Sequence, residues 1–112
     1  MLHDALFIEF LPTTLYLLSM KNNSIDDIAN GTFSRLSQLQ NLYLDGNRIS
    51  DLSFVASISN SLRHLSLNNN SLSDLPDSQF DRLTGLQLLY LDGNMVDDLS
   101  FVESLSSVLY FL

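Results

Sequence analysis

The chain has 112 residues, 46% of them apolar, no cysteine and a formal net charge of −8. That is the length of one domain, with enough apolar content for a core and no means of disulfide or thiolate chemistry. The acidic balance excludes nucleic acid and anionic membrane surfaces, which select basic patches, and no apolar run reaches membrane-spanning length.

The first segment, MLHDALFIEFLP, lacks a basic leader region and is interrupted by Asp4 and Glu9, unlike a secretory signal. A frame of the form LxxLxLxxNxL then begins at Leu15 and continues through Leu18, Met20, Asn23 and Ile25. It recurs at Leu39-Leu42-Leu44-Asn47-Ile49, at Leu62-Leu65-Leu67-Asn70-Leu72 and at Leu86-Leu89-Leu91-Asn94-Val96. The four starts lie 24, 23 and 24 positions apart. A period this constant marks a solenoid of stacked repeats. The fourth and sixth positions of each frame are two apart, so they face one side of a short extended strand. Such a strand cannot bury its apolar face alone, but identical strands stacked in parallel cover one another.

After the strand the chain turns inward and leaves backbone N–H and C=O groups inside the coil. An asparagine side chain carries both a donor and an acceptor for them. Asn23, Asn47, Asn70 and Asn94 are therefore expected to form an internal ladder.

A longer period overlies the first. TFSRLSQLQNLYLDGN at 32–47 returns as QFDRLTGLQLLYLDGN at 79–94, and DLSFVASISNSL at 51–62 returns as DLSFVESLSSVL at 98–109, both at an offset of 47. Two kinds of repeat alternate. One brings a phenylalanine into the core late, Phe33 or Phe80, and the other early, Phe54 or Phe101. The early-Phe segments are expected to be short convex-side helices: Phe101, Val102, Leu105 and Leu109 share a helical face, and Ser100 with Glu103 has capping-box spacing. The late-Phe segments, with Leu75-Pro76 before Phe80, read as irregular with short 3-10 turns. At the same offset Leu109 to Leu112 are the first four positions of a fifth frame. Both termini thus fall inside repeats and lack polar or cysteine-stapled caps, as expected of a segment of a longer array.

These frames resemble the leucine-rich repeat family along essentially the whole chain. Leu75-Pro76 to Phe80 and Leu83 are similar to its "typical" subclass, common in Toll-type receptors, matrix proteoglycans and neuronal adhesion proteins. The resemblance implies an α/β-type solenoid: a single horseshoe segment over 1–112, with a short-stranded parallel concave sheet and a convex side of loops, 3-10 turns and short helices. It implies a protein ligand on the concave sheet, in a cell-surface or secreted receptor-like protein. The alternative is an intracellular scaffold or regulatory repeat protein, favoured by the leader-less start and the lack of cysteine. The missing caps and the early-Phe repeats depart from the subclass.

The strand positions not spent on the core define the candidate face. Across neighbouring strands they form rows: Tyr16-Gln40-Arg63-Gln87, Leu17-Asn41-His64-Leu88, Ser19-Tyr43-Ser66-Tyr90 and Lys21-Asp45-Asn68-Asp92. Tyr16, Lys21, Asn41, Tyr43, Asp45, Arg63, His64, Ser66, Asn68, Tyr90 and Asp92 are the candidate ligand-binding residues. The tyrosines with Arg63 and His64 have the composition of interface anchors, expected as one compact patch in mid-sheet. Most residues on such a face contribute little to binding, so the expectation concerns the face more than any one side chain.

N-x-S/T sequons begin at Asn22, Asn30 and Asn69; Asn30 is the expected acceptor in a secreted protein, since the other two adjoin the ladder. Catalysis has little support. His64 has hydroxyls nearby but no aspartate at a spacing that would orient it in a triad, and an exposed lone histidine is ordinarily a contact residue. Asp45, Asn68 and Asp92 are too spread for a metal. The glycines of the DGN sequences are turn residues, with no phosphate-loop or dinucleotide motif, so no cofactor is expected.

Overall fold

The computed structural model describes residues 6–76, 78–97 and 109–111. Five three-residue strands form one parallel sheet in chain order: β1 Leu17–Ser19, β2 Asn41–Tyr43, β3 His64–Ser66, β4 Leu88–Tyr90 and β5 Leu109–Phe111. The register from β1 to β4 follows the frame, with Leu18 opposite Leu42, Leu42 opposite Leu65 and Leu65 opposite Leu89. Strands β1 to β4 are short because one inward leucine sits between two outward-directed positions before the chain turns. The central residue is buried in β1 to β4, and its neighbours in β1, β2 and β4 are half-buried or exposed.

The signature leucines stack into continuous columns: Leu39, Leu62 and Leu86 in one, Leu42, Leu65 and Leu89 in the next, then Leu44, Leu67 and Leu91, all buried. Ile25, Ile49 and Leu72 extend the core past the turn. Burying one such side chain contributes about 1.5–3 kcal/mol, so the columns are the main adhesive between repeats. The alternation of late and early phenylalanines has a packing reason. Phe33, late in one repeat, meets Phe54, early in the next, with ring centroids 5.7 Å apart and planes tilted by 54°.

The early-Phe segment within the described residues, Ser53–Ser57, is a short helix of the 3-10 type, as is Leu6–Phe10 at the start of the chain. Five residues are too few to offset the cost of an α-helical nucleus. The tighter bonds form instead, Val55 N–H to Leu52 O at 3.0 Å and Ile58 N–H to Val55 O at 3.1 Å. Just before this segment Asp51 Oδ1 accepts the Ser53 N–H at 2.9 Å and the Ser53 hydroxyl at 2.6 Å. The corresponding Phe101 segment and its Ser100–Glu103 box lie outside the described residues. One expectation is corrected, at β5. The 47-residue offset places Phe111 opposite Leu88, whereas the structure pairs Leu109 with Leu88 and Tyr110 with Leu89. A shift of two residues keeps the period-two alternation of a strand, so the frame does not oppose it.

Asparagine side chains bind the turns together. Asn47 Oδ1 accepts the N–H groups of Asn23 and Ile25, both at 3.0 Å, and its Nδ2 donates to Met20 O at 3.0 Å and Leu44 O at 2.8 Å. Asn94 repeats the pattern with Asn70 N–H, Leu72 N–H, Leu67 O and Leu91 O. Asn70 accepts from Ile49 N–H and donates to Leu44 O and Leu67 O. Asn23 differs: its Nδ2 donates to the nearby Lys21 O. Just before each ladder residue the backbone is left-handed, at Asn22 (φ 59°), Gly46 (72°), Asn69 (57°) and Gly93 (76°). Asparagine and glycine are the residues that take this conformation at least cost. They alternate because a Cβ on Gly46 or Gly93 would collide with Oδ1 of Asn22 or Asn69 from the preceding repeat.

Candidate functional site

The outward residues of the sheet form the candidate site. Backbone bonds continue the pairing past the strands, from Met20 N–H to Tyr43 O, from Leu44 N–H to Ser66 O and from Leu67 N–H to Tyr90 O. The outward rows are thereby held in register on a rigid support. In the middle of this face three rings run across adjacent strands. The His64 ring lies between Tyr43, 4.9 Å away and edge-on at 68°, and Tyr90, 5.1 Å away at 39°. Tyr43 Oη and His64 Nδ1 are 3.5 Å apart. Ring pairs at these separations contribute about 0.5–1.5 kcal/mol beyond the area they bury.

A polar row flanks the rings. Asp45 is its hub: Oδ1 accepts the Ser66 hydroxyl at 2.5 Å and the Asn68 N–H at 2.9 Å, and Oδ2 lies 3.8 Å from Lys21 Nζ. The same ammonium stands 5.0 Å from the centroid of the Tyr43 ring. Asn68 in turn accepts the Asp92 N–H at 2.8 Å. His64 Nε2 is buried, with no hydrogen-bond partner among the described residues. Burial, opposed by the Asp45 charge and aided by that of Lys21, holds the His64 imidazole below its ordinary protonation range. This histidine is a neutral aromatic element of the row at neutral pH.

The structure brings Lys21, Tyr43, Asp45, His64, Asn68 and Tyr90 together and treats the other candidates differently. Ser66 is 4% exposed and spends its hydroxyl on Asp45, so it supports the face from beneath instead of meeting a ligand. The Arg63 guanidinium lies against Gly85, where a Cβ would come within 3.4 Å of Nη1. The cation beside the rings is Lys21, a contact between residues 22 apart that row alignment alone does not reveal. Tyr16 is 63% exposed at the β1 side with Leu17 next to it, Asn41 is half-buried on β2, and Asp92 is exposed beyond β4. Among the sequons, Asn22 and Asn69 have Oδ1 seated over Gly46 and Gly93, while Asn30 is exposed in a turn.

Away from the sheet, Ile8, Glu9, Ala29, Asn30, Gly31 and Arg35 help line a cleft of about 240 Å³. There Arg35 Nη1 donates to Glu9 O at 2.8 Å. This cleft had no signal in the sequence, because the 3-10 helix Leu6–Phe10 and a turn 26 residues further on create it. Among the described residues no group of three His, Cys, Asp or Glu side chains is arranged to hold a metal ion, and no helix is long and apolar enough to cross a membrane.

Stacked parallel strands, columns of leucine and an asparagine ladder define a leucine-rich solenoid. The leucine rich repeat family model matches residues 10–49, 49–96 and 60–106, and the chain belongs to that family. Leucine-rich repeat domains serve protein–protein interaction and are typically non-enzymatic binding modules. The chain is similar to mouse (Mus musculus) podocan, 49% identical over 41 residues that make up 37% of this chain and 7% of podocan. The crystal structure of internalin C2 from Listeria monocytogenes superposes with a TM-score of 0.77 at 29% identity, over 95% of this chain and 44% of that one. A second internalin of the same organism, inlF, matches with a TM-score of 0.51 at 23% identity, over 88% of this chain and 41% of its own, which speaks to the fold alone. The chain thus spans less than half the length of each of these relatives.

Proposed function

We propose that this chain is a recognition module that holds a protein ligand on the concave sheet, as part of a cell-surface or secreted receptor-like protein. The observation that carries the reading is the ring row Tyr43–His64–Tyr90, set on rigid strands and flanked by Lys21, Asp45 and Asp92. Aromatic residues in such a setting are the usual anchors of protein interfaces, and the flanking acids favour a basic rim on the ligand. The similarity of Leu75-Pro76 to Leu83 to the typical subclass supports a place outside the cell. The candidate contacts are Tyr16, Lys21, Asn41, Tyr43, Asp45, Arg63, His64, Asn68, Tyr90 and Asp92, with Ser66 acting through Asp45.

The test is comparative capture. Binding proteins are collected on the parent chain, on Tyr43→Ala/Tyr90→Ala and on the exposed convex-side variant Gln38→Ala/Ser78→Ala, and identified by mass spectrometry. Proteins retained by the parent and the convex variant but lost from the tyrosine variant support the reading. The opposite pattern moves the working face to the convex side.

A further inference from the structure

Of the three sequons, two lie inside the bonding between repeats and one does not. Asn22 and Asn69 donate their backbone N–H groups to Asp45 O and Asp92 O at 2.9 and 2.7 Å. The residues that follow them, Asn23 and Asn70, belong to the ladder. Their own Oδ1 atoms are lodged against Gly46 and Gly93, so a sugar on either amide would crowd the neighbouring turn.

Asn30-Gly31-Thr32 stands apart. Asn30 is exposed, and its side-chain amide has no hydrogen-bond partner among the described residues. Gly31, at φ 85°, borders open space: a Cβ there would meet nothing within 4 Å. Asn30 also lines the cleft of about 240 Å³, together with Ile8, Ala29 and Arg35. That volume lies below the range of sites for drug-sized ligands, about 300–1,000 Å³, and suits a single sugar ring. Arg35 Nη1 is spent on Glu9 O at 2.8 Å and Ile8 O at 3.4 Å. A guanidinium carries further N–H donors, and those of Arg35 have no partner among the described residues.

We propose that Asn30 carries an N-linked glycan whose first N-acetylglucosamine settles in this cleft and takes hydrogen bonds from Arg35. The inference rests on the chain acting outside the cell, since the secretory pathway supplies the donor, a lipid-diphosphate-linked oligosaccharide. Asn30 Nδ2 bonds to the anomeric carbon, the C–O bond to the diphosphate breaks, and the amide gives up one proton. Transfer precedes folding, so the fold decides which occupied sequon is compatible with stacked repeats. Of the three, that is Asn30. A bulky, solubilising glycan there covers a turn away from the sheet and leaves the ring row open.

The experiment secretes the 112-residue chain from a eukaryotic host behind a cleavable leader, then maps the glycans by mass spectrometry after enzymatic release in heavy-oxygen water. Asn30 is expected to be occupied, with Asn22 and Asn69 bare. Thr32→Ala should abolish the glycan and Thr32→Ser should retain it. Trimming to the first sugar with an endoglycosidase should shift the backbone amide NMR signals of Glu9 and Arg35 relative to Asn30→Gln. A secreted chain that is bare at Asn30, or occupied at Asn22 or Asn69 instead, overturns this inference and leaves the place outside the cell standing. Shifts confined to residues 29–32 overturn the seat in the cleft. Occupancy in the leader-driven chain with a bare Asn30 in the protein from its natural source overturns both the glycan and the place outside the cell.

Discussion

The asparagine ladder and the ring row cross the same strands at the same period, only a few residues apart in each frame, yet they are built differently. Every ladder position is asparagine, because the groups it meets are backbone N–H and C=O groups that every turn presents in the same geometry. The outward row Ser19-Tyr43-Ser66-Tyr90 alternates instead: Tyr43 and Tyr90 flank the His64 ring on the open face, while Ser66 is buried and bonded to Asp45. Where the backbone sets the demand, the side chain is repeated. Where only solvent or a ligand sets it, the side chain varies. Variation inside a regular scaffold therefore marks the positions we propose for recognition, and the Lys21/Asn68 difference is one instance.

The contrast can be broken most severely within the ladder. Asn70→Ala or Asn94→Ala should each cost about 1–3 kcal/mol by leaving buried backbone groups unpaired, whereas Asn23→Ala, with one local bond, should cost less than about 1 kcal/mol. Urea unfolding midpoints measure this; equal effects at all three positions would show that the inter-repeat bonds are not what the asparagines contribute. Bonding at Asn94 matches that at interior Asn47, so its position near the end of the described repeats does not spare it.

A smaller effect is expected at the left-handed residues that separate the two rows. Gly46→Ala should destabilise by about 1–2 kcal/mol through the positive φ, with an added clash against Asn22 Oδ1. Adding Asn22→Gly should recover the clash and leave the conformational part. If the double variant is no more stable than Gly46→Ala, the Asn–Gly alternation has another cause.

The smallest stability effect lies in the ring row itself and depends on pH. The folded state holds His64 below its ordinary value, chiefly through burial, so the unfolded chain binds the proton more readily. Stability should be unaffected well above the unfolded value near 6.5, fall as pH drops through that value, and level off once pH is below the folded one. His64→Gln should flatten the profile between neutral and mildly acid pH. A profile that keeps its slope in the variant would assign the titration elsewhere, with Asp51 excluded because the Ser53 hydrogen bonds lower its value and move its loss to more acid pH.

The strands, their register from β1 to β4, the leucine columns and the ladder positions were all legible in the sequence, since each follows from a period and a facing rule. The 3-10 form of Ser53–Ser57 was not, because a shared apolar face over five residues does not separate two helix types. The shifted pairing of β5 escaped because moving by two residues preserves the alternation that the frame reads. In the site, row alignment found Tyr43, His64 and Tyr90 as neighbours. It could not foresee that Arg63 turns toward Gly85, that Ser66 is sealed under Asp45, or that Lys21 reaches across to Tyr43. Those outcomes depend on side-chain direction and on one repeat's contact with the next, which a periodic pattern leaves open.

The most direct test sets one residue from each row side by side. Asn47→Ala and Tyr43→Ala lie four positions apart in the same repeat, and both are compared with the parent by chemical denaturation at pH 7. The expected result is a loss of about 1–3 kcal/mol for Asn47→Ala and about 1 kcal/mol or less for Tyr43→Ala, the scale of its ring contacts. A larger loss for Tyr43→Ala than for Asn47→Ala would contradict the division between positions held by the fold and positions free for recognition.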